Sequence, residues 1–276
     1  MRKVAIQGIR GCYHDLAARQ FFPNQEIDLM ECLTFEQVFE SIQTNPEVIG
    51  VLAIENTIAG SLLHNHELLR LSDTCIIGEH KLRISHCVAC LPTDSLASLR
   101  VVQSHPVALM QCRTFFEQYP LLESVESIDT ALSAKNIAQQ KLHQQATICS
   151  TYAAELYGLK VIKKAIESDT HNFTRFLIVQ SKDSTTPIQP ASINKASLVF
   201  TLPHRCGSLS TILSVLSFYD MNLTKIQSLP IVGKEWQYQF FIDVIFTDKS
   251  TYVQGLNAIE PLTSHLKILG EYEEGE

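Results

Sequence analysis

The sequence predicts an α/β fold over residues 1–180, followed by a small ferredoxin-like domain over residues 195–276. Three observations carry this. Short apolar runs alternate with amphipathic stretches along the first part. Residues 181–194 then change to Ser, Thr, Lys, Asp, Gln and two prolines, a linker composition. Beyond them the order reads strand, helix, strand, strand, helix, strand, which is the βαββαβ pattern of ferredoxin-like domains. Alternating strands and helices with short joints argue for parallel sheets with helices on both faces. The periodicity fits one sheet or two lobes.

Each element has a local reason. Residues 4–7 are a short apolar run ending at Gly8, and 12–22 read as a helix. Residues 27–32 are strand-like, and the Thr34 hydroxyl can cap a helix over 35–43 by accepting a free N–H of its first turn. Residues 48–54 are almost wholly apolar, the signature of a strand covered on both faces. A helix is expected over 61–69, strands over 82–91 and 101–102, and one helix over 105–119 with Pro106 in its first turn. Residues 125–128 are strand-like, Asp129 caps a helix through Gln140, 146–149 form a strand, and Gly158 closes a short helix over 152–157. Residues 173–179 are the last strand of this region. In the tail, strands are expected at 197–202, 223–229, 238–246 and 266–269, with helices at 208–219 and 251–259.

Composition bounds the function. With 276 residues, 45% hydrophobic and 18% charged, the chain has material for two domains. Its net charge of -7 and the lack of a basic run argue against nucleic acid, because phosphate neutralisation needs concentrated Lys and Arg. No apolar run approaches the roughly 20 residues of a membrane span. The start Met1-Arg2-Lys3-Val4-Ala5-Ile6-Gln7-Gly8 turns polar too soon for a signal peptide, so a cytoplasmic protein with reduced cysteines is expected.

Several motifs have both a chemical and a structural reading. Gly8-Ile9-Arg10-Gly11 with Glu31 is a fragment of the dinucleotide fingerprint, but two of its three glycines are missing. Cys87-Val88-Ala89-Cys90 has C-x-x-C spacing beside His86. On a strand its thiols point to opposite faces, so core packing is the expected role and no metal is assigned. His64 and His66 on a helix diverge, which also disfavours a metal. Ser104-His105 is better suited to start a helix than to act as nucleophile and base. Glu55-Asn56-Thr57 ends a buried strand, the edge at which open α/β sheets bind ligands, although Asn56 and Thr57 are equally ordinary helix starters. Asn172-Phe173-Thr174-Arg175-Phe176 sets amide, hydroxyl and guanidinium at the start of an apolar strand. Arg175 there needs a carboxylate partner: Asp169, Glu167 or a substrate.

Taken together, five segments resemble the prephenate dehydratases: Glu55-Asn56-Thr57-x-x-Gly60, Ser104-His105-Pro106-x-Ala108-Leu109, Asp129-Thr130-Ala131, Ala153-Ala154-x-Leu156-Tyr157-Gly158 and Asn172-x-Thr174-Arg175-Phe176. They occur in the family's order. The tail, with Gly207-Ser208-Leu209 and Asn222 through Pro230, resembles the ACT domain these enzymes carry. The resemblance implies a two-lobed fold like that of periplasmic binding proteins. It implies conversion of prephenate to phenylpyruvate, with loss of carbon dioxide and hydroxide, on the way to phenylalanine, and no metal or organic cofactor. Thr174 matches the family's essential threonine, Arg175 would anchor a carboxylate and Phe176 would shape the ring pocket. Glu55, Asn56, Thr57, Ser104 and Asn172 would bind substrate. Gly207, Ser208, Leu209, Gln227 and Ser228 would form a phenylalanine-sensing site, and a homodimer or homotetramer is expected.

Two stretches depart from the family pattern. The first motif usually runs Gly-Pro-x-Gly, then Ser/Thr, Tyr/Phe, Ser and His; here Ile9, Cys12, His14 and Asp15 replace four of those positions. The ACT signature Glu-Ser-Arg-Pro reads Gln227-Ser228-Leu229-Pro230, without its two charges. With no extra segment of long helices to host a chorismate mutase, a monofunctional chain is expected. The competing reading is a non-catalytic small-molecule sensor built from the same folds, and a nicotinamide oxidoreductase is the more distant one.

Overall fold

A computed structural model of the chain describes residues 1–275. The N-terminal part runs β1 (Arg2–Gln7), α1 (Tyr13–Phe21), β2 (Ile27–Cys32), α2 (Phe35–Thr44), β3 (Ile49–Asn56), β4 (Gly60–Ser61), α3 (Leu63–Leu71), β5 (Thr74–Arg83) and β6 (Cys87–Cys90). Next come β7 (Val101–Ser104), α4 (Pro106–Gln111), α5 (Arg113–Gln118), β8 (Glu123–Glu126), α6 (Thr130–Gln140), β9 (Gln145–Cys149), α7 (Thr151–Leu156), β10 (Lys160–Lys164) and β11 (Phe173–Ser181). The C-terminal part is β12 (Lys195–Thr201), α8 (Ser208–Phe218), β13 (Asn222–Pro230), β14 (Tyr238–Ile245), α9 (Lys249–Ile259) and β15 (His265–Tyr272). Among the described residues no helix is long and apolar enough to cross a membrane.

The chain divides into two compact units. The first comprises Met1–Val38, Val51–Gly60 and Lys81–Phe176. It holds two sheets, matching the two lobes of the expected α/β architecture. One sheet has the order β5-β11-β3-β1-β2, with β1 and β2 parallel in the register Arg2 opposite Ile27 to Gln7 opposite Cys32. The other has the order β10-β6-β9-β7-β8. Val4, Ala5, Ile6, Val51 and Leu52 are wholly buried in the first sheet. Val88, Cys90, Val102, Ala146 and Ile148 form the core of the second with Ala108, Cys112 and Phe115.

Three element expectations need correction in this unit, and one strand has no counterpart among them. Residues 82–91 are not one strand: β5 ends at Arg83 because the Ile84 N–H turns to the Asn172 carbonyl and the His86 N–H to the Glu167 carboxylate. Residues 105–119 are not one helix. The Gln111 carbonyl accepts from Ser168 N–H, Phe115 N–H reaches Cys112 instead, and the chain breaks between α4 and α5. The strand expected at 125–128 lies two residues earlier, as exposed β8. β10, with three lysines in five residues, lacks an apolar signal and forms by pairing antiparallel with β6.

The second unit comprises Phe39–Gly50, Ser61–His80 and Leu177–Glu276. β12 to β15 form the antiparallel order β13-β14-β12-β15 with α8 and α9, the ferredoxin-like arrangement. Its core gathers Leu198, Phe200, Ile212, Leu216, Ile242, Val244 and Tyr252. β15 also runs parallel to the start of β5, where a side-chain carbon at Gly270 would lie 2.3 Å from the Ile76 carbonyl. Only glycine fits there. Lys195 and Glu79 form a buried ion pair at 2.8 Å, and that acidic residue interrupts the apolar run that would have revealed the first half of β5. Residues 184 to 186 are laced to Glu47, whose carboxyl these hydroxyl and amide donors, Thr186 foremost, hold down to about 2.

Candidate active site

The apolar residues of β3 drive it through the core, so its polar end, Glu55-Asn56-Thr57, emerges at the sheet edge beside the start of β11. Asn56 makes a tight turn there. Its Oδ1 accepts the N–H groups of Ile58 at 3.0 Å and Ala59 at 2.8 Å. Those two backbone donors fix which way the amide faces, so Nδ2 must point the other way. It donates to Asn172 Oδ1 at 2.7 Å, Thr174 Oγ1 at 2.9 Å and the Phe173 carbonyl at 3.1 Å. Thr57 closes the same edge: its N–H donates to the Phe173 carbonyl, and its hydroxyl donates to the His171 carbonyl and accepts from Phe173 N–H. Because Thr174 Oγ1 is an acceptor from Asn56, its own O–H is left to donate elsewhere.

Arg175 points to the other side of the strand, as alternation requires. Its partner is neither Asp169 nor Glu167 but Glu55, with Nε 2.6 Å from the carboxylate. The expected carboxylates are engaged elsewhere: Asp169 accepts the His171 N–H, and Glu167 the His86 N–H. Phe176 is 1% exposed and meets the edge of His14 at 5.0 Å. It is thus a core residue here rather than an open pocket wall. Burial pulls the His14 pKa down to about 4, which keeps the lone pair of Nε2 available to accept Ala53 N–H.

Ser104 does not join this group. Its side chain is wholly buried, and its hydroxyl donates to the Ile148 carbonyl at 2.6 Å, between neighbours of the second sheet. The residue that sequence reasoning missed is Gln111. From the end of α4 its Oε1 accepts from Asn172 Nδ2 at 3.0 Å and lies 3.1 Å from His86 Nε2. Nothing in its local pattern distinguishes it; only the break after α4 turns it inward. In the N-terminal loop, Gly8 adopts a φ of 104°, and a side chain there would press on Cys12 and Asp129. Asp15 is buried and structural: it accepts from Gly11 N–H and the Tyr152 hydroxyl and pairs with Arg19. Burial raises the pKa of Asp129, which caps α6 through Leu132 N–H.

The arrangement is a polar strand edge carrying one oriented hydroxyl donor, three interlocked amides and an adjacent ion pair. A family model described as prephenate dehydratase matches residues 4–184. The chain belongs to the prephenate dehydratase family. Among curated relatives of this family member, arogenate dehydratase/prephenate dehydratase 2 of Arabidopsis thaliana is 35% identical, the match covering 98% of this chain and 72% of the relative. The bifunctional chorismate mutase/prephenate dehydratase of Escherichia coli K12 is 30% identical, covering 98% and 70%. Among solved structures, the Arthrobacter aurescens prephenate dehydratase in complex with L-Phe superposes with a TM-score of 0.86 at 23% identity, covering 99% of this chain and 90% of that one. GqqA, described as a novel type of quorum quenching acylase, superposes with a TM-score of 0.87 at 30% identity, covering 99% and 98%.

The residues that the prephenate dehydratase resemblance assigns to phenylalanine sensing all lie in the second unit. Gly207, with a φ of 82°, starts α8; Ser208 donates to the Pro203 carbonyl; Leu209 packs on the C-terminal core. Gln227 donates from its side chain to the Ser228 carbonyl on β13. Leu229, where the family pattern has arginine, is buried.

Proposed function

We propose that this prephenate dehydratase family member converts prephenate to phenylpyruvate, and that Thr174 supplies the hydrogen bond that helps the ring hydroxyl leave. The observation that carries the reading is the Asn56 amide, held by Ile58 and Ala59, occupying a lone pair of Thr174 Oγ1. Decarboxylation sends an electron pair into the ring, the carbon–oxygen bond breaks, and the ring becomes aromatic. The protein therefore needs chiefly to stabilise charge growing on the departing oxygen. A neutral threonine hydroxyl, a weak acid, does this by donating rather than by full proton transfer, and such help is worth about 10²–10⁴-fold.

In the same reading Arg175 anchors a substrate carboxylate, exchanging part of its contact with Glu55 for it, while Asn172 and Asn56 hold the polar edge. The C-terminal domain acts as an ACT-type phenylalanine sensor within a cytoplasmic homodimer or homotetramer. Incubation with prephenate, followed by the absorbance of phenylpyruvate in base, tests the reaction. No turnover would favour a sensor instead. Titration calorimetry with phenylalanine tests regulation, and absence of binding would remove that part alone.

A further inference from the structure

His86, which flanks the C-x-x-C pair, has polar work of its own in the interior. It is 2% exposed, and both ring nitrogens face polar atoms: Nε2 lies 3.1 Å from Gln111 Oε1, and Nδ1 lies 2.9 Å from the Tyr13 hydroxyl. The Tyr13 hydroxyl also donates to the Ser85 carbonyl at 2.9 Å.

The direction of each bond from Asn56 to His86 Nε2 follows from the Asn56 end. The N–H groups of Ile58 and Ala59 fix the Asn56 amide, so Asn56 donates and Asn172 Oδ1 accepts. Asn172 must then present Nδ2 to Gln111, and Gln111 must present Oε1. An oxygen faces His86, so Nε2 must carry the ring proton. Burial lowers the pKa of His86, keeping the ring neutral, so Nδ1 has a lone pair beside the Tyr13 hydroxyl, whose one proton is shared with the Ser85 carbonyl. Tyr13 keeps that proton, because burial raises its pKa well above the ordinary tyrosine value.

We infer that His86 is a positioning residue for Thr174. Its Nε2–H holds Gln111 and, through it, Asn172 in the orientation that receives the Asn56 amide beside Thr174. This inference rests on the reaction proposed above.

The test compares His86→Gln with His86→Leu. A glutamine amide can donate to Gln111 from the place of Nε2–H, whereas leucine cannot. His86→Leu is expected to lower kcat by about 10- to 100-fold with KM changed little, as loss of an orienting partner does, and His86→Gln to recover most of the loss. Nitrogen-15 NMR of the histidine rings should show His86 as the Nε2–H tautomer. Wild-type kcat in His86→Leu, equal losses in the Gln and Leu variants at unchanged thermal stability, or an Nδ1–H tautomer would each overturn the inference. A wild-type protein that leaves prephenate unchanged would instead overturn the reaction, and the positioning role of His86 with it. The NMR arm would still decide whether the tautomer lock exists.

Discussion

Asn56 Nδ2 donates to Thr174 Oγ1 at 2.9 Å while Asn56 Oδ1 is held by two backbone N–H groups, so one side chain sets the direction of the other's hydrogen bond. Replacing the amide by a carboxylate tests that direction. Asn56→Asp keeps acceptors for Ile58 and Ala59 but cannot donate, so Thr174 would turn its O–H onto the carboxylate. The expected outcome is a kcat lower by about 100-fold, close to that of Thr174→Ala, with the fold intact by circular dichroism. Full activity in either variant would refute the role given to Thr174.

The Arg175–Glu55 pair leads to a separate expectation. Lysine keeps the charge but not the planar fork that grips a carboxylate. Arg175→Lys should therefore raise KM for prephenate by about tenfold, equivalent to about 1.4 kcal/mol, with a smaller effect on kcat. An unchanged KM together with a lower melting temperature would make the residue purely structural.

In the second unit, Lys195 and Glu79 are 3% and 0% exposed, so neither charge is tolerated alone. Lys195→Met should cost about 3–5 kcal/mol in urea unfolding. Adding Glu79→Leu should recover much of that, short of the bond from Gly275 N–H that the carboxylate also accepts. A double variant no more stable than the single one would argue that packing, not the unpaired charge, sets the cost.

His14 makes stability depend on pH. Its folded pKa of about 4 lies below the ordinary 6.5, so between those values the unfolded chain binds a proton that the folded chain refuses. The contribution is complete above about pH 6.5 and falls as pH drops toward 4, by up to about 1.4 kcal/mol per pH unit. Denaturant titrations at pH 7.5 and 5 should show a shallower loss in His14→Gln than in the wild type. Equal slopes would show that other groups dominate.

What can be read from the sequence and what cannot divides on a physical line. The buried strand β3, the capped helix α6 and the βαββαβ tail announce themselves through local periodicity and caps. The polar cluster around Thr174 is visible too, because amide, hydroxyl and guanidinium lie within four residues, but the catalytic role proposed for it comes from the family resemblance and not from that pattern. The partner of Arg175 escapes a local reading because Glu55 is 120 positions away and becomes adjacent only when β3 and β11 pair. Ser104 reads as available because its strand end is polar, yet the carbonyl of Ile148 consumes its hydroxyl. Gln111 and His86 carry no local signal at all: their roles arise where a helix and a strand each stop before the pattern suggests.

The three amides of Asn56, Asn172 and Gln111 have a consequence for how the site fails. An isolated amide can rotate by half a turn at small cost, trading oxygen for nitrogen. In this string a single reversal sets like poles against each other at the next link, so the members behave as one two-position switch with a fixed setting rather than as three independent parts. Damage at either end should be felt along its whole length, and partial misalignment should be rare. Variants are then expected to fall into two groups, aligned and scrambled, with few between.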